Sequence, residues 1–378
     1  MKKKVIRLFR KVAFWSFYML CSLVVPVVYG HAHRKGELTY LSHEDFTVWK
    51  KAMLAMVREY CVAGYNFRIR QVVFTFSNAK IEVIRKTEAG RSDAPIVVLC
   101  VKNDLQRIQM LVDHYRKLGV EKFAFLDNGS TDGTFEWLKE QKDIDLYHCA
   151  APYKTAVKEG WINRIISHYG FERWYIPTDS DELMVYKGME EHPLTDVVRY
   201  AAENGIKRLE GLTLDTYSQG RLFGNAEDIR KEYCWIDRDS YVEKEAVAGT
   251  SKIKRFMGGP RYRLMNSSIT LSKFPLVHFE KGTISDSAHF QFPHHVIEES
   301  PCMLGILHYK FIDKDLAEYE KRAQKDSGFS AGGANYRQYL EFVNKQKDVS
   351  FMYEGSLKFE HSQVLENINL IQPLEWET

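Results

Sequence analysis

From Pro95 onward the chain alternates short runs, apolar at nearly every position, with single stretches of helical periodicity. Nothing else in the sequence constrains the fold as much. Strands are expected at 96–101, 122–126, 144–148 and 174–177, and helices at about 104–118, 134–141 and 155–169. A run such as Ile96-Val97-Val98-Leu99, apolar on both faces of a strand, has to be covered on both sides. Helical crossovers between successive strands supply that cover and make the strands parallel, so the fold class is α/β. Ligands bind such sheets outside the carboxyl ends of the strands, and the residues there carry the functional question.

Composition narrows the class further. Lys and Arg number 53 against 50 Asp and Glu, a formal charge of +3 over 378 residues, so the basic excess of a nucleic-acid binder is missing and no nucleic-acid partner is expected. Apolar residues at 45% and charged residues at 27% exclude disordered and fibrous chains. Six cysteines are scattered without a Cys-x-x-Cys pair, which fits neither a zinc knuckle nor a disulfide scaffold.

The ends of the chain read differently from its middle. Lys2, Lys3, Lys4, Arg7, Arg10 and Lys11 precede an uncharged run from Val12 to Gly30 that only Pro26 interrupts, with Phe14, Trp15, Phe17 and Tyr18 at its start. Residues 1–36 are therefore expected to associate with a membrane, as a monotopic anchor, as a span or as a cleaved signal peptide. A helix at about 43–60 and β-rich runs at 69–76 and 80–85 form an extension over 37–94, ending in a polar linker. The catalytic domain is expected at 95–312 and a helical C-terminal region at 313–378.

Three strand ends converge on one chemistry. The first closes on Lys102, Asn103 and Asp104, and the second on Asp127-Asn128-Gly129-Ser130-Thr131-Asp132-Gly133-Thr134. Asp127 comes directly off its strand, where a carboxylate can accept hydrogen bonds from a ribose or a base. The fourth ends in Thr178-Asp179-Ser180-Asp181-Glu182, three acids within four residues, which repel unless a cation or solvent screens them. In an extended segment Asp179 and Asp181 face one side, and a hard divalent metal bound through their oxygens is the economical reading. Such a metal neutralises a departing diphosphate without proton transfer.

These motifs resemble those of a GT-A glycosyltransferase of the family 2 type. The stretch from Asp127 to Thr134 is similar to that family's Asp-Asp-Gly-Ser-Thr-Asp-Gly-Thr signature, with Asn128 in place of the second acid, and Thr178–Glu182 is similar to its Asp-x-Asp element. The later half resembles a bacterial branch through Gly258-Gly259-Pro260-Arg261-Tyr262-Arg263-Leu264, Lys273-Phe274-Pro275-Leu276, Ser287-Ala288-His289 and Leu307-His308-Tyr309-Lys310-Phe311. The resemblance implies a Rossmann-like mixed sheet flanked by helices, with a nucleotide-sugar half at 95–182 and an acceptor half at 183–312. It implies nucleoside contact by Asp127, ribose and Mn²⁺- or Mg²⁺-diphosphate contact by Asp179 and Asp181, and Lys102 and Asn103 beside the nucleotide. It further implies a late histidine as third metal ligand, for which His308 and His289 are candidates.

The expected activity is metal-dependent transfer of a sugar from a nucleotide-diphosphate sugar, UDP-sugar favoured, to a glycan or lipid-linked acceptor. Inversion is implied by the resemblance, and so is a carboxylate base. Asp286 is favoured for it because it lies in a Gly/Ser-rich loop, with Glu280 and Asp215 as alternatives. Arg261 and Arg263, at i and i+2 after a Gly-Gly-Pro approach, can grip a diphosphate or an anionic acceptor. Tyr309 and Lys310 are expected to be packing and surface. In a bacterium the catalytic domain belongs on the cytoplasmic face of the membrane; a lumenal Golgi-type orientation is the other arrangement. A nucleotidyltransferase and a non-catalytic scaffold are the competing classes; the first lacks a glycine-rich phosphate loop after the first strand, and the second has no need of clustered acids.

Overall fold

A computed structural model describes residues 81–376, apart from 249–250, 281–282, 286, 293, 298–299, 325–328 and 347, together with Val12, Ser16 and Met19. The expected membrane-associating segment, the helix at 43–60 and the run at 69–76 lie outside the described residues. Among the described residues no helix is long and apolar enough to cross a membrane.

The chain begins with β1 (Glu82–Arg85), β2 (Ile96–Val101), α1 (Leu105–Lys117), β3 (Lys122–Asp127), α2 (Thr134–Glu140), β4 (Ile144–His148), α3 (Thr155–Tyr169), β5 (Arg173–Pro177) and β6 (Glu182–Val185). It continues through α4 (Leu194–Glu203), β7 (Arg208–Thr216), α5 (Ile229–Glu232), β8 (Trp235–Asp237), β9 (Tyr241–Ala248), β10 (Ser251–Gly258), α6 (Gly259–Met265) and β11 (Ser272–Phe279). The short β12 (Ile284–Ser285) and β13 (Gln291–Phe292) precede β14 (Cys302–Tyr309), α7 (Asp313–Arg322), α8 (Ala334–Lys345) and β15 (Ser356–Lys358).

Nine strands form one mixed sheet in the order β1-β4-β3-β2-β5-β11-β7-β14-β6. β2, β3, β4 and β5 are parallel, as helical crossovers require, and β14 is parallel to β7, while β1, β11 and β6 run against their neighbours. β1 therefore extends the central sheet instead of standing apart from it.

Side chains alternate across β2 and show why both faces had to be apolar. Val97, Leu99 and Val101 pack with Ile108, Leu111, Val112 and Tyr115 of α1, a set at helical spacing. Ile96 and Val98 pack on the other face with Trp161, Ile162, Ile165 and Ile166 of α3. Each such aliphatic side chain contributes about 1.5–3 kcal/mol through burial.

Two further layers complete the molecule. β9 and β10 form a separate antiparallel arm. The C-terminal α7 and α8 cover the β7–β14 side through an aromatic cluster that includes Phe223, Phe311, Tyr319, Tyr339 and Phe351, and β15 pairs with β8.

Candidate active site

At the end of β3, Asp127 turns the chain. Its Oδ1 accepts the backbone N–H groups of Gly129 (2.9 Å) and Ser130 (3.0 Å), while Gly129 and Gly133 take the positive φ of the turn. Among the described residues the other oxygen of Asp127 is buried without a hydrogen-bond partner, as is the amide oxygen of Asn128. Asn128 donates to the carbonyls of Cys149 (2.6 Å) and Ala151 (2.9 Å) and ties β3 to the loop after β4. Asn103 is used within the frame: its side-chain oxygen accepts from the N–H of Thr131 at 2.7 Å. Lys102 beside it is exposed. Asp127, Asn103 and Lys102 thus meet on the ends of two adjacent parallel strands.

β5 stops at Pro177, and the residues after it turn instead of continuing extended; Glu182 N–H donates to the Asp179 carbonyl at 3.1 Å. The turn corrects the expectation that Asp179 and Asp181 face one side. Asp179 points to α3 and β11, where it pairs with Lys158 and lies 3.6 Å from Lys273 Nζ. Asp181 points to the end of β14, with His308 Nε2 and Lys310 Nζ each 3.4 Å from its Oδ2. Glu182, which opens β6, pairs with Lys273 at 2.5 Å and lies 3.8 Å from His308 Nε2. The ligand atoms of Asp181, Glu182 and His308 all fall within 4.8 Å of one another.

Electrostatics at this cluster are strong. Burial alone raises a carboxyl pKa, yet Lys310 and His308 hold Asp181 well below the ordinary carboxylate range. Asp179 is likewise held low, against burial, by Lys158 and then Lys273. Conversely, burial works to lower Lys158 and Lys310, and facing carboxylates keep both well above the ordinary lysine value.

Asp215 stands opposite His308 in the β7–β14 register. One of its oxygens takes His308 Nδ1 at 2.7 Å and the other takes Arg261 Nε at 2.6 Å. Burial raises its pKa, but Arg261 and then His308 outweigh burial and bring it to about 2. Asp215 on Nδ1 fixes the ring and aims Nε2 at Asp181. That is the geometry in which an outer carboxylate orients a metal-binding histidine. Two carboxylates and an imidazole suit Mn²⁺, which accepts a nitrogen ligand more readily, better than Mg²⁺, which prefers oxygen and retained water.

Several expected roles are not met by the geometry. Both oxygens of Asp215 are engaged and the residue is 1% exposed, so it positions His308 and is not placed as a base. Glu280 pairs with Lys207 and follows the end of β11, beside the start of β5, at the end of the sheet opposite the strand-end acids. With Glu172 and His278 it forms a second acid–imidazole group there. Asp286 lies outside the described residues. Arg261 and Arg263 lie on α6, where i and i+2 diverge, so they cannot grip one ligand. Arg261 is spent on Asp215. Arg263 bonds Asp237 (3.1 and 3.2 Å) and the Phe351 carbonyl (2.6 Å), and stacks 3.9 Å over the Tyr353 ring. His289 bonds the Ser272 carbonyl at 2.9 Å, away from Asp181, and burial followed by Lys273 lowers its pKa to about 3.

The sequence reading missed the counter-charges. Lys310, expected at the surface, reaches Asp181, while Tyr309 is buried as expected. Lys273 stood in a quoted motif and Glu182 in the acid run, but neither carried a role. Glu159, in the first turn of α3, was also missed. Its Oε2 accepts from Ser285 Oγ at 2.7 Å, its Oε1 has no partner, and burial raises its pKa. With Lys158, Asp179, Lys273 and Gln291 it lines a narrow cleft.

No protein-family model and no curated protein matches the chain. Among solved structures, a mannosyltransferase from Pyrobaculum calidifontis in complex with GDP-Man and Mn²⁺ matches at 16% identity with a TM-score of 0.26, over 43% of this chain and 47% of that one. The chain thus spans about half the length of that structure, and the functional reading rests on the site's own geometry.

Proposed function

We propose that the chain is a metal-dependent glycosyltransferase of GT-A architecture, transferring a sugar from a nucleotide-diphosphate donor, a UDP-sugar by preference. One observation carries the reading. An unsatisfied buried Asp127 oxygen and the Asp181–Glu182–His308 group stand together at the carboxyl-end edge of one sheet, where α/β folds bind ligands. The orphaned oxygen asks for a donor N–H or O–H such as a nucleoside offers. Asp181, Glu182 and His308 would hold the cation, with Asp215 fixing the His308 ring. When bound, the cation supplies charge neutralisation of the departing diphosphate.

The rest of the proposal extends from the sequence resemblance: a glycan or lipid-linked acceptor, inversion, cell-surface polysaccharide or glycoconjugate synthesis, and attachment to a membrane surface through residues 1–36. An inverting transfer needs a carboxylate near the acceptor, and Asp286 and Glu159 are the two to test.

Thermal unfolding of the purified chain with UDP, GDP or CMP, with and without Mn²⁺, tests the donor site. Ligand at a hundred times its Kd adds about 2.7 kcal/mol to the native state. The expected result is a Mn²⁺-dependent rise in Tm for one nucleotide class, lost in Asp181→Asn. No shift with any nucleotide, or an undiminished shift in Asp181→Asn, overturns the reading.

A further inference from the structure

Three lysines, Lys158, Lys273 and Lys310, face three carboxylates, Asp179, Asp181 and Glu182, so these six groups balance in charge. A divalent cation held by Asp181, Glu182 and His308 adds +2 to these six groups, which are a third exposed at Asp179 and less elsewhere, so the added charge is only partly screened. A nucleoside diphosphate brings the negative charge that restores neutrality.

The three lysines are not equivalent. Lys158 is hydrogen-bonded to Asp179, and Lys273 to Glu182. Lys310 meets Asp181 at 3.4 Å without a hydrogen bond, has no other ion-pair partner among the described residues, and keeps 16% of its side chain open. His308 Nε2 stands at the same 3.4 Å from the same oxygen, Asp181 Oδ2. A cation bridging His308 Nε2 and Asp181 Oδ2 therefore competes with Lys310 for that oxygen. The displaced ammonium lies two residues beyond His308, partly open, with no second carboxylate to turn to.

We propose that Lys310 is a diphosphate ligand that exchanges partners, leaving Asp181 to the cation and pairing with the donor's diphosphate, so that cation and nucleotide bind as a coupled pair. The proposal deepens the glycosyltransferase reading and rests on it. Coupling is reciprocal: the nucleotide tightens the cation by the factor by which the cation tightens the nucleotide.

The test uses the full chain, wild type, Lys310→Gln and Lys310→Arg. Free Mn²⁺ is followed by electron paramagnetic resonance, and UDP, GDP, UMP and GMP binding by calorimetry. In wild type, UDP or GDP is expected to tighten Mn²⁺ about tenfold or more, and the monophosphates are expected to do far less. Lys310→Gln is expected to bind Mn²⁺ alone more tightly than wild type, because its competitor for Asp181 is gone. The same variant is expected to bind the diphosphate more weakly and to lose most of the coupling. Lys310→Arg restores diphosphate binding in part. A merely structural lysine moves both affinities in one direction. Parallel loss, or no change in either affinity, overturns the exchange while leaving the donor site standing. A wild-type protein that binds neither UDP nor GDP overturns the donor site and the exchange with it.

Discussion

Replacing Asp215 by Asn removes one charge and almost no volume, and the contacts show where the loss falls. Asp215 is 1% exposed and Arg261 is 5% exposed. Removing one partner of such a buried pair costs about 3–5 kcal/mol, because the other charge stays behind uncompensated. Arg261 would keep the Tyr339 hydroxyl, at 3.3 Å, and at most a neutral amide oxygen in place of the carboxylate. The second loss falls on His308, whose ring is held by the same carboxylate, and removal of such an outer partner weakens metal binding about 10–100-fold. The linkage has a definite sign. The folded pKa of about 2 lies below the ordinary 3.8, so the stabilisation is present above about pH 3.8 and is lost as pH falls toward 2; it amounts to about 2 kcal/mol. Urea unfolding at pH 7 and pH 3, with Mn²⁺ titration at pH 7, measures both losses. The stability gap between wild type and Asp215→Asn is expected to be wide at pH 7 and narrower at pH 3. Adding Arg261→Gln to Asp215→Asn should recover part of the stability, since no lone charge remains buried. An Asp215→Asn protein with full stability and normal Mn²⁺ affinity, but no turnover, refutes the reasoning and returns Asp215 to the role of base.

Arg263→Ala loses two bonds to Asp237 and the stack on Tyr353, and is expected to lower stability by about 1–3 kcal/mol with nucleotide affinity unchanged; weakened nucleotide binding at full stability contradicts the assignment. Glu210 is buried with one oxygen unpartnered, and burial, with Glu243 adding to it, raises its pKa to about 7 from 4.5. The unfolded chain then ionises first as pH rises, so the native state loses about 3 kcal/mol between pH 4.5 and 7. Glu210→Gln is accordingly expected to raise Tm at pH 8 and to leave it nearly unchanged at pH 4; an equal effect at both pH values rules this out.

The helix of α3 and the strands β2 and β4 stand where periodicity puts them, because burial on one or both faces is written locally in the order of residues. What the chain does not write locally is where a motif points. Asp179 and Asp181 read as two ligands on one side, and a turn after Pro177 sends them to different partners. Arg261 and Arg263 read as one grip until α6 turns them apart. Glu280 lies at a reasonable chain distance from Asp181, yet chain distance does not say that an antiparallel strand has carried it to the opposite end of the parallel strands. The acids were legible because four residues hold three of them. Their counter-charges come singly from α3, β11 and the end of β14, and a lone lysine after an apolar strand looks like surface in any sequence. Only the pairing of β14 with β6 and β7 brings Lys310 to Asp181 and Asp215 to His308. If the acids are already balanced by those lysines, cation affinity cannot be read from the acids alone. It depends on where the displaced ammonium can go, and a diphosphate is the partner whose charge fits.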